Sequence, residues 1–190
     1  YNDGMAERLA DLGDGNHAYI DSENEGRKVM VEEMSSTLMT IAQDVKIQME
    51  FNPAVVAEYR LIGYENRALR REDFNNDQVD AGEIGAGHDV TALYEITLVG
   101  SGGESVDPLR YGGGGSKTGG KADELGWLRL RYKPPGTGTS KLIETPLPRA
   151  AIRRDASPRL RWAAAVAAYA DLLRGGKNVN GFGWSQVHAL

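Results

Sequence analysis

The sequence predicts an α+β fold in which an antiparallel, sandwich-like β region is flanked by helices. Two observations indicate this class. Between residues 44 and 147, apolar and polar residues alternate with the period of two that is typical of half-buried strands, and no helical pattern separates the strands. Helical spacing is found instead on both sides of this region, within residues 1–43 and 159–173.

The N-terminal region has the order helix, strand, helix, which is typical of the end of an α/β domain. Asn2 or Asp3 can cap the first helix, and Gly13 ends it. Residues 17–20 are a short strand candidate. A capping box, in which a glutamate follows a serine by three residues, starts a second helix that we expect over residues 22–43. The apolar stripes of these helices are Met5, Leu9 and Leu12, and Val31, Met34, Leu38 and Ile41.

Five strands are expected in the β region, over residues 45–51, 55–64, 88–99, 127–133 and 141–147. In each strand, alternation places the apolar residues on the buried face and the charged residues on the solvent face. The first strand then turns Ile47 inward and Lys46 outward, and the second strand turns Tyr59 and Leu61 inward. In the fourth strand, the same rule places on the solvent side Arg129, Arg131 and Lys133.

A glycine-rich insert over residues 100–120 separates the third and fourth strands. A phosphate-binding loop requires the order GxxxxGK[ST] between a strand and a helix, and the Gly112–Lys117 run lacks both that order and that context. We therefore expect a flexible hairpin loop without a nucleotide site.

The C-terminal region contains one Ala-rich helix. Ser157 is its expected cap, Pro158 its first residue and Gly175 its stop. A basic cluster surrounds the start of this helix and comprises Arg149, Arg153, Arg154, Arg159 and Arg161. The cluster has two interpretations, a solvated connection that balances acidic residues elsewhere, or a patch for an anion or an acidic partner.

The acidic loop between the second and third strands is the candidate metal site. Asp73, Asn75 and Asp77 match positions 1, 3 and 5 of an EF-hand calcium loop, where oxygen ligands converge on the ion. Asp80 adds a further carboxylate. The loop departs from that pattern at position 6, which is Gln78 instead of glycine, and at position 12, which is not glutamate. The alternative is a surface loop rich in Asx turns, without a metal.

The sequence offers little support for catalysis, and we expect no catalytic residue and no cofactor apart from a possible Ca²⁺. Neither HExxH nor GxSxG occurs. Three histidines are present, far apart in sequence, at His17, His88 and His188. The alternative is a hydrolase that uses carboxylates of Asp77, Asp80 or Glu83, although a loop supports precise chemistry poorly.

Composition narrows the classes of partner. The chain has no cysteine, which removes disulfides, thiolate catalysis and cysteine-based zinc sites. A net charge of −5 gives no general electrostatic reason to bind nucleic acid or an anionic membrane, so we expect neither as a partner. No apolar run approaches the ~20 residues of a membrane span, and no signal peptide is visible. Because the chain opens at Tyr1 directly into a helix pattern, we interpret it as a piece of a longer protein.

Several segments resemble a known family. Residues 1–29 (YNDGMAERLADLGDGNHAYIDSENEGRKV) are similar to the last helix, strand and helix of a von Willebrand factor type A (vWA) domain. Three further segments resemble the domain that follows the vWA domain in a group of bacterial proteins, namely NPAVVAEYRLIGYENR, EDFNND and DAGEIGAGHDVTALYEI. The resemblance implies a vWA remnant over residues 1–43 and a β-rich companion domain over residues 44–190.

The resemblance also implies a role. Proteins of this kind are associated with the cell envelope, and the companion domain has no assigned activity. The chain would then be a non-catalytic interaction or scaffold module, whose partners are other proteins or the missing part of its own vWA domain, with a possible homo-oligomer. The DxSxS metal loop of vWA domains is absent from this chain, so no residue of that metal site is carried over. If the acidic loop binds calcium, the module is instead of a calcium-stabilised adhesion type.

The calcium hypothesis predicts a metal-dependent thermal stability. At a free Ca²⁺ concentration 100 times the dissociation constant, one filled site adds ~2.7 kcal/mol to the free energy of unfolding. For a chain of this size, the melting midpoint should rise by roughly 5–10 °C relative to the protein in chelator. Asp73→Ala should abolish the shift, and equal midpoints in calcium and in chelator would contradict the hypothesis.

Overall fold

The computed structural model describes residues 2–13, 15, 17–34, 38–63, 69–107, 123–177, 179 and 183–189. In this part of the chain, helices and antiparallel sheets occur together, which confirms the α+β class, and the sheets are not closed. The Gly112–Lys117 run lies outside the described residues. No helix of the described part combines the length and the apolar character needed to cross a bilayer.

Within the described residues, six strands form two sheets. Their bounds are Thr40–Phe51 (β1), Val56–Ile62 (β2), Gly82–Gly85 (β3), Leu93–Leu98 (β4), Glu124–Lys133 (β5) and Lys141–Pro148 (β6). One sheet has the order β3-β1-β5-β6 and the other pairs β2 with β4. The pairs β1–β3 and β2–β4 are antiparallel.

Four α-helices are described, Asp3–Leu12 (α1), Glu23–Arg27 (α2), Pro158–Leu173 (α3) and Trp184–Ala189 (α4). A π-helical turn, Lys28–Glu32, continues α2, and short 3₁₀ turns cover Arg71–Asn75 and Arg149–Ala151. The helix caps are those that the sequence predicts. The side-chain oxygens of Asn2, Ser22 and Ser157 each accept a hydrogen bond from the backbone N–H three residues later, at 3.1 to 3.2 Å.

Two predicted elements of the N-terminal region are wrong. The second helix does not extend to residue 43, because β1 begins at Thr40 and pairs its first residues with β3, Thr40 with Gly85 and Ala42 with Ile84. The start of β1 has an apolar spacing that suits both a strand and a helix. Its pairing with β3 selects the strand. Residues 17–20 are not a strand, since no described strand pairs with them.

The predicted face of β2 is also wrong, and β1 departs from its predicted face at Lys46 and Ile47. Lys46 is 3% exposed, whereas Ile47 is 43% exposed. In β2, Tyr59 and Leu61 are exposed and Arg60 is half-buried. The physical reason is that the two inward-facing cations have partners: the buried Lys46 binds backbone carbonyls, and the half-buried Arg60 forms ion pairs. A strand turns its charged face inward when hydrogen bonds there compensate the loss of water.

The remaining strands differ from prediction in their bounds. The third predicted strand, 88–99, is shortened to β4, Leu93–Leu98. The short strand β3 was not predicted, because two of its four residues are glycine, which is depleted in strands. β5 and β6 cover the fourth and fifth predicted strands with one to three additional residues.

The chain divides into two compact units. The first comprises Tyr1–Met49, Ala68–Val90 and Leu128–Thr145, and the second comprises Glu50–Arg67, Thr91–Trp127 and Pro146–Leu190. Among the described residues, Phe74 is the buried apolar residue of the first unit, and Val55, Val56 and Ala165 are those of the second. The second unit also contains an aromatic cluster, in which the ring centroid of Phe51 lies 4.6 Å from that of Tyr59 and 5.4 Å from that of Tyr94.

The start of the glycine-rich insert is fixed to β2. One carboxylate oxygen of Glu58 accepts hydrogen bonds from the backbone N–H groups of Ser105 and Val106, both at 2.8 Å. The other carboxylate oxygen accepts the Ser105 hydroxyl at 2.7 Å. Residues 105 and 106 are therefore held by a single side chain, and the prediction of a flexible loop concerns the residues after them.

Candidate functional site

The acidic loop over residues 70–80 folds onto β1 and β5 within the first unit. Its 3₁₀ turn carries Phe74, which is 2% exposed and anchors the loop. The guanidinium carbon of Arg129, in β5, lies 5.4 Å from the centroid of the Phe74 ring, within the range of a cation–π contact. The loop is thus held by a buried aromatic residue beneath a cation of the neighbouring strand.

Lys46 binds the backbone of the loop from β1. Its ammonium donates hydrogen bonds to the carbonyl oxygen of Asp73, at 3.4 Å, and to that of Asn76. An ammonium carries three donors and no acceptor, so two carbonyl oxygens at the end of a turn suit it well. Removing a charge from water is unfavourable unless such bonds compensate it. The burial of Lys46 and the position of the loop therefore depend on each other.

Asp73, the first predicted metal ligand, is paired with an arginine of its own loop. The Arg70 guanidinium donates from Nε to Oδ2 of Asp73 at 2.7 Å and from Nη2 to Oδ1 at 3.3 Å. This two-point contact occupies both carboxylate oxygens and fixes the orientation of the side chain.

Asp77, another predicted ligand, contacts three residues of β5 and of the segment that follows it. Its Oδ1 atom accepts the Ser140 hydroxyl and lies 3.0 Å from Nη2 of Arg131, and its backbone carbonyl accepts Lys133 Nζ at 2.8 Å. The hydrogen bond from Ser140, together with the charge of Arg131, holds the pKa of Asp77 below its ordinary value against the opposing effect of burial.

Asp44 closes the network from β1. It has a positive φ of 50° and forms an ion pair with Lys133, while its Oδ1 atom accepts the Ala81 N–H at 3.2 Å. Burial alone would raise the pKa of Asp44, but hydrogen bonds with Lys133 and Asp80 outweigh burial, and the pKa lies below its ordinary value. The same contact with Asp44 raises the pKa of Lys133.

The four predicted metal ligands are not brought together around one point. The carboxylates of Asp73 and Asp77 contact protein cations, and Asn75 and Asp80 are exposed. No group of three or more histidine, aspartate or glutamate side chains in the described ranges is placed to hold a metal ion. One feature of the alternative interpretation is present, an Asx turn in which Asn76 Oδ1 accepts the Gln78 N–H at 3.0 Å. Calcium binding stays a prediction.

The alternation rule missed the cations that hold the loop, because it assigned to solvent Lys46, Arg129, Arg131 and Lys133. Complementary charge was the signal that could have found them. Four cations lie on two strands, and the chain between residues 72 and 83 carries five acidic residues and no basic one. The histidines lie apart from this network, since His17 is in the N-terminal segment, His88 follows β3 and His188 is in α4.

The fold and the site define this protein as an α+β domain whose acidic loop pairs with cations of its own unit. The chain belongs to the family described as "Uncharacterized protein YfbK, C-terminal", which matches residues 36–190. It is 48% identical over 188 residues to the uncharacterized protein YfbK of Escherichia coli (strain K12), a match that covers 98% of this chain and 32% of that protein. The chain thus spans about a third of the length of this relative. No solved structure matches the chain.

Replacing the buried lysine should release the loop. Lys46→Met leaves the carbonyl oxygens of Asp73 and Asn76 without their donor, and should lower the free energy of unfolding by about 2–3 kcal/mol. Hydrogen exchange should accelerate at residues 73–81. Lys141→Met, which removes an exposed lysine at the start of β6, is the matched control and should change neither quantity. Equal melts for both variants would contradict the assigned role of Lys46.

The acidic network should make the first unit sensitive to low pH. Because the pKa values of Asp44 and Asp77 are lowered in the folded protein, their contribution is complete above the unfolded value of about 3.9 and is lost as the pH falls through the folded values. Urea unfolding between pH 7 and pH 2 measures this loss. Asp77→Asn should flatten the pH dependence, whereas Asp89→Asn, at an exposed position after β3, should leave it unchanged.

Proposed function

We propose that this chain is a non-catalytic interaction module, which carries and orients a preceding domain of a longer protein. The observation that supports the proposal is the apolar surface of the N-terminal segment. Eleven large apolar side chains between residues 5 and 41 are exposed by at least 47%: Met5, Leu9, Leu12, Tyr19, Ile20, Met30, Val31, Met34, Leu38, Met39 and Ile41.

The stripe on α1 is the clearest part of this surface. Met5, Leu9 and Leu12 are 60%, 61% and 86% exposed, and their spacing of four and three places them on one face of the helix. Complete burial of each such side chain would contribute about 1.5–3 kcal/mol. A helix of ten residues is marginal in water without tertiary packing, since isolated helices shorter than about 12–15 residues rarely persist. We therefore expect another protein surface to pack against this stripe and cover it.

A cover on the same polypeptide agrees with the length of the relative, two thirds of which lies outside the match. From the resemblance of residues 1–29 to the end of a vWA domain, we propose that the covering surface is the remaining part of such a domain. By the same resemblance, we propose a place in the cell envelope and protein ligands for the whole molecule.

The non-catalytic part of the proposal rests on the acidic network. A general base or nucleophile needs a side chain that can reach a substrate, whereas Asp73 and Asp77 are occupied by Arg70, Arg131 and Ser140. Such pairing stabilises the loop, and at Asp77 it lowers the pKa of the carboxyl group and hence its strength as a base. Of the three carboxylates that the hydrolase alternative names, Asp77 could act only if these contacts opened.

A chimera tests the proposal. This chain replaces the matched third of the E. coli relative, and hydrogen exchange of α1 is compared between the chimera and the chain alone. We expect at least tenfold greater protection in the chimera, because the stripe is covered there. Leu9→Glu should remove the gain, and Arg8→Glu, an exposed charge change on the same helix, should preserve it. Equal protection of α1 in both proteins would reject the proposal, and light scattering of the chain alone would reveal self-association as the cover.

A further inference from the structure

The second unit contains a groove that the proposed function does not use. Its volume is about 350 Å³, and it lies between α3 and the ends of β2 and β4. The residues that shape it include Ile62, Leu93, Trp162, Val166, Ala170 and Arg174. A groove of this size accommodates a few side chains of a ligand.

The groove is apolar and open. Trp162 is 71% exposed and Val166 is half exposed, although both line it. Alanines of α3 at positions 163, 167 and 170 also line the groove. Because their side chains are small, another backbone can approach the helix closely. A tryptophan this exposed beside an apolar groove is typical of a contact surface, because the indole offers a large apolar area together with one N–H donor.

The acidic residue of the groove, Asp171, is paired within its own unit. Its Oδ2 atom lies 3.4 Å from Nη1 of Arg60, which also pairs with Glu95 at 2.6 Å. Because Arg60 shares one charge between two carboxylates, it reduces the negative charge of Asp171 without cancelling it, and attraction for an acidic ligand has to come from the arginines along α3.

The chain around the groove is strongly basic. Residues 146–177 contain seven basic and two acidic residues, a net charge of +5, in a protein whose net charge is −5. The five arginines of the basic cluster are exposed, and within the part of the chain that the structure describes none of them pairs with a carboxylate. An uncompensated cluster of this kind attracts an acidic partner.

Two arginines flank the apolar strip on α3. Trp162 and Arg174 line the groove, and Nη1 of Arg174 also donates a hydrogen bond to the Gly63 carbonyl at 3.5 Å. Arg159 is exposed and lies about one turn before Trp162, and the helical spacing places it on the same side of α3. At 1.5 Å per residue, the two arginines stand about 22 Å apart along the helix axis, which equals the length of a helix of about 15 residues.

We propose that this groove binds an acidic amphipathic helix of a partner protein. Apolar side chains of the partner, spaced four residues apart, enter the groove beside Trp162 and Val166, and carboxylates near its two ends pair with Arg159 and Arg174. This is the helix-in-groove mode of recognition, with the charges setting orientation. A nucleic acid would satisfy the arginines but would place no apolar group in the groove.

The experiment selects helical 15-residue peptides from a displayed random library on the chain, with parallel selections on Trp162→Ala and on Arg159→Glu/Arg174→Glu. We expect enriched peptides of net negative charge with apolar residues four positions apart. Their affinity, measured by fluorescence anisotropy, should fall at least tenfold for Trp162→Ala, and also for the double charge reversal. Because Trp162 is largely exposed, its replacement should leave the protein folded, which a circular-dichroism melt checks.

Two matched controls belong to the experiment. Trp184→Ala removes a second exposed tryptophan that does not line the groove, and Arg8→Glu/Arg27→Glu makes the same charge change in the first unit. Both should leave the affinity unchanged. The proposal is overturned if no peptide is enriched, if enriched peptides are neutral or basic, or if they bind Trp162→Ala equally well. Tighter binding of a 15-nucleotide single-stranded DNA than of any peptide would also overturn it.

Discussion

The first unit depends on one contact, the hydrogen bonds between the buried ammonium of Lys46 and the backbone carbonyls of Asp73 and Asn76. Because side chains alternate along a strand, turning Lys46 inward turns Ile47 outward and sets the face of β1. The same contact brings the loop close to β5, where Phe74 meets Arg129 and Asp77 meets Arg131. A charge in the position of a core residue therefore organises this part of the fold.

The features that the sequence predicts well are local. The caps at Asn2, Ser22 and Ser157, the bounds of α3 and the strands β5 and β6 follow from side chains near in sequence. The buried faces of β1 and β2 depend on partners 27 to 111 residues away in the chain, such as Asp73 for Lys46 and Asp171 for Arg60. Alternation carries no information about such partners, and a lysine in a strand is ordinarily exposed. The cations that pair with the acidic loop were not predicted from the sequence.

Charge is distributed unevenly along the chain, so the net charge alone does not describe the field at any one surface. The net charge of −5 conceals a basic segment of +5, so the rest of the chain carries −10. Acidic residues of the loop meet cations of their own unit, while the arginines before and at the start of α3 meet no carboxylate in the described part of the chain. Electrostatic attraction depends on such local fields more than on the total. The whole-chain charge therefore disfavours an anionic polymer without disfavouring an acidic partner at one face.

The hydrogen bonds between the Glu58 carboxylate and residues 105 and 106 have a consequence for the evolution of the chain. Residues 105 and 106 are fixed by this side chain, and further along the chain the carbonyl of Asp123, directly before β5, accepts the Arg149 N–H. With both ends set, the entropy of closing the intervening chain grows only with the logarithm of its length, by about 0.6 kcal/mol per doubling. We therefore expect insertions and deletions between these two points to change the stability of the sheet little. Length variation among family members is thus expected to collect there, and an inserted tag or a small domain would be tolerated at the same place.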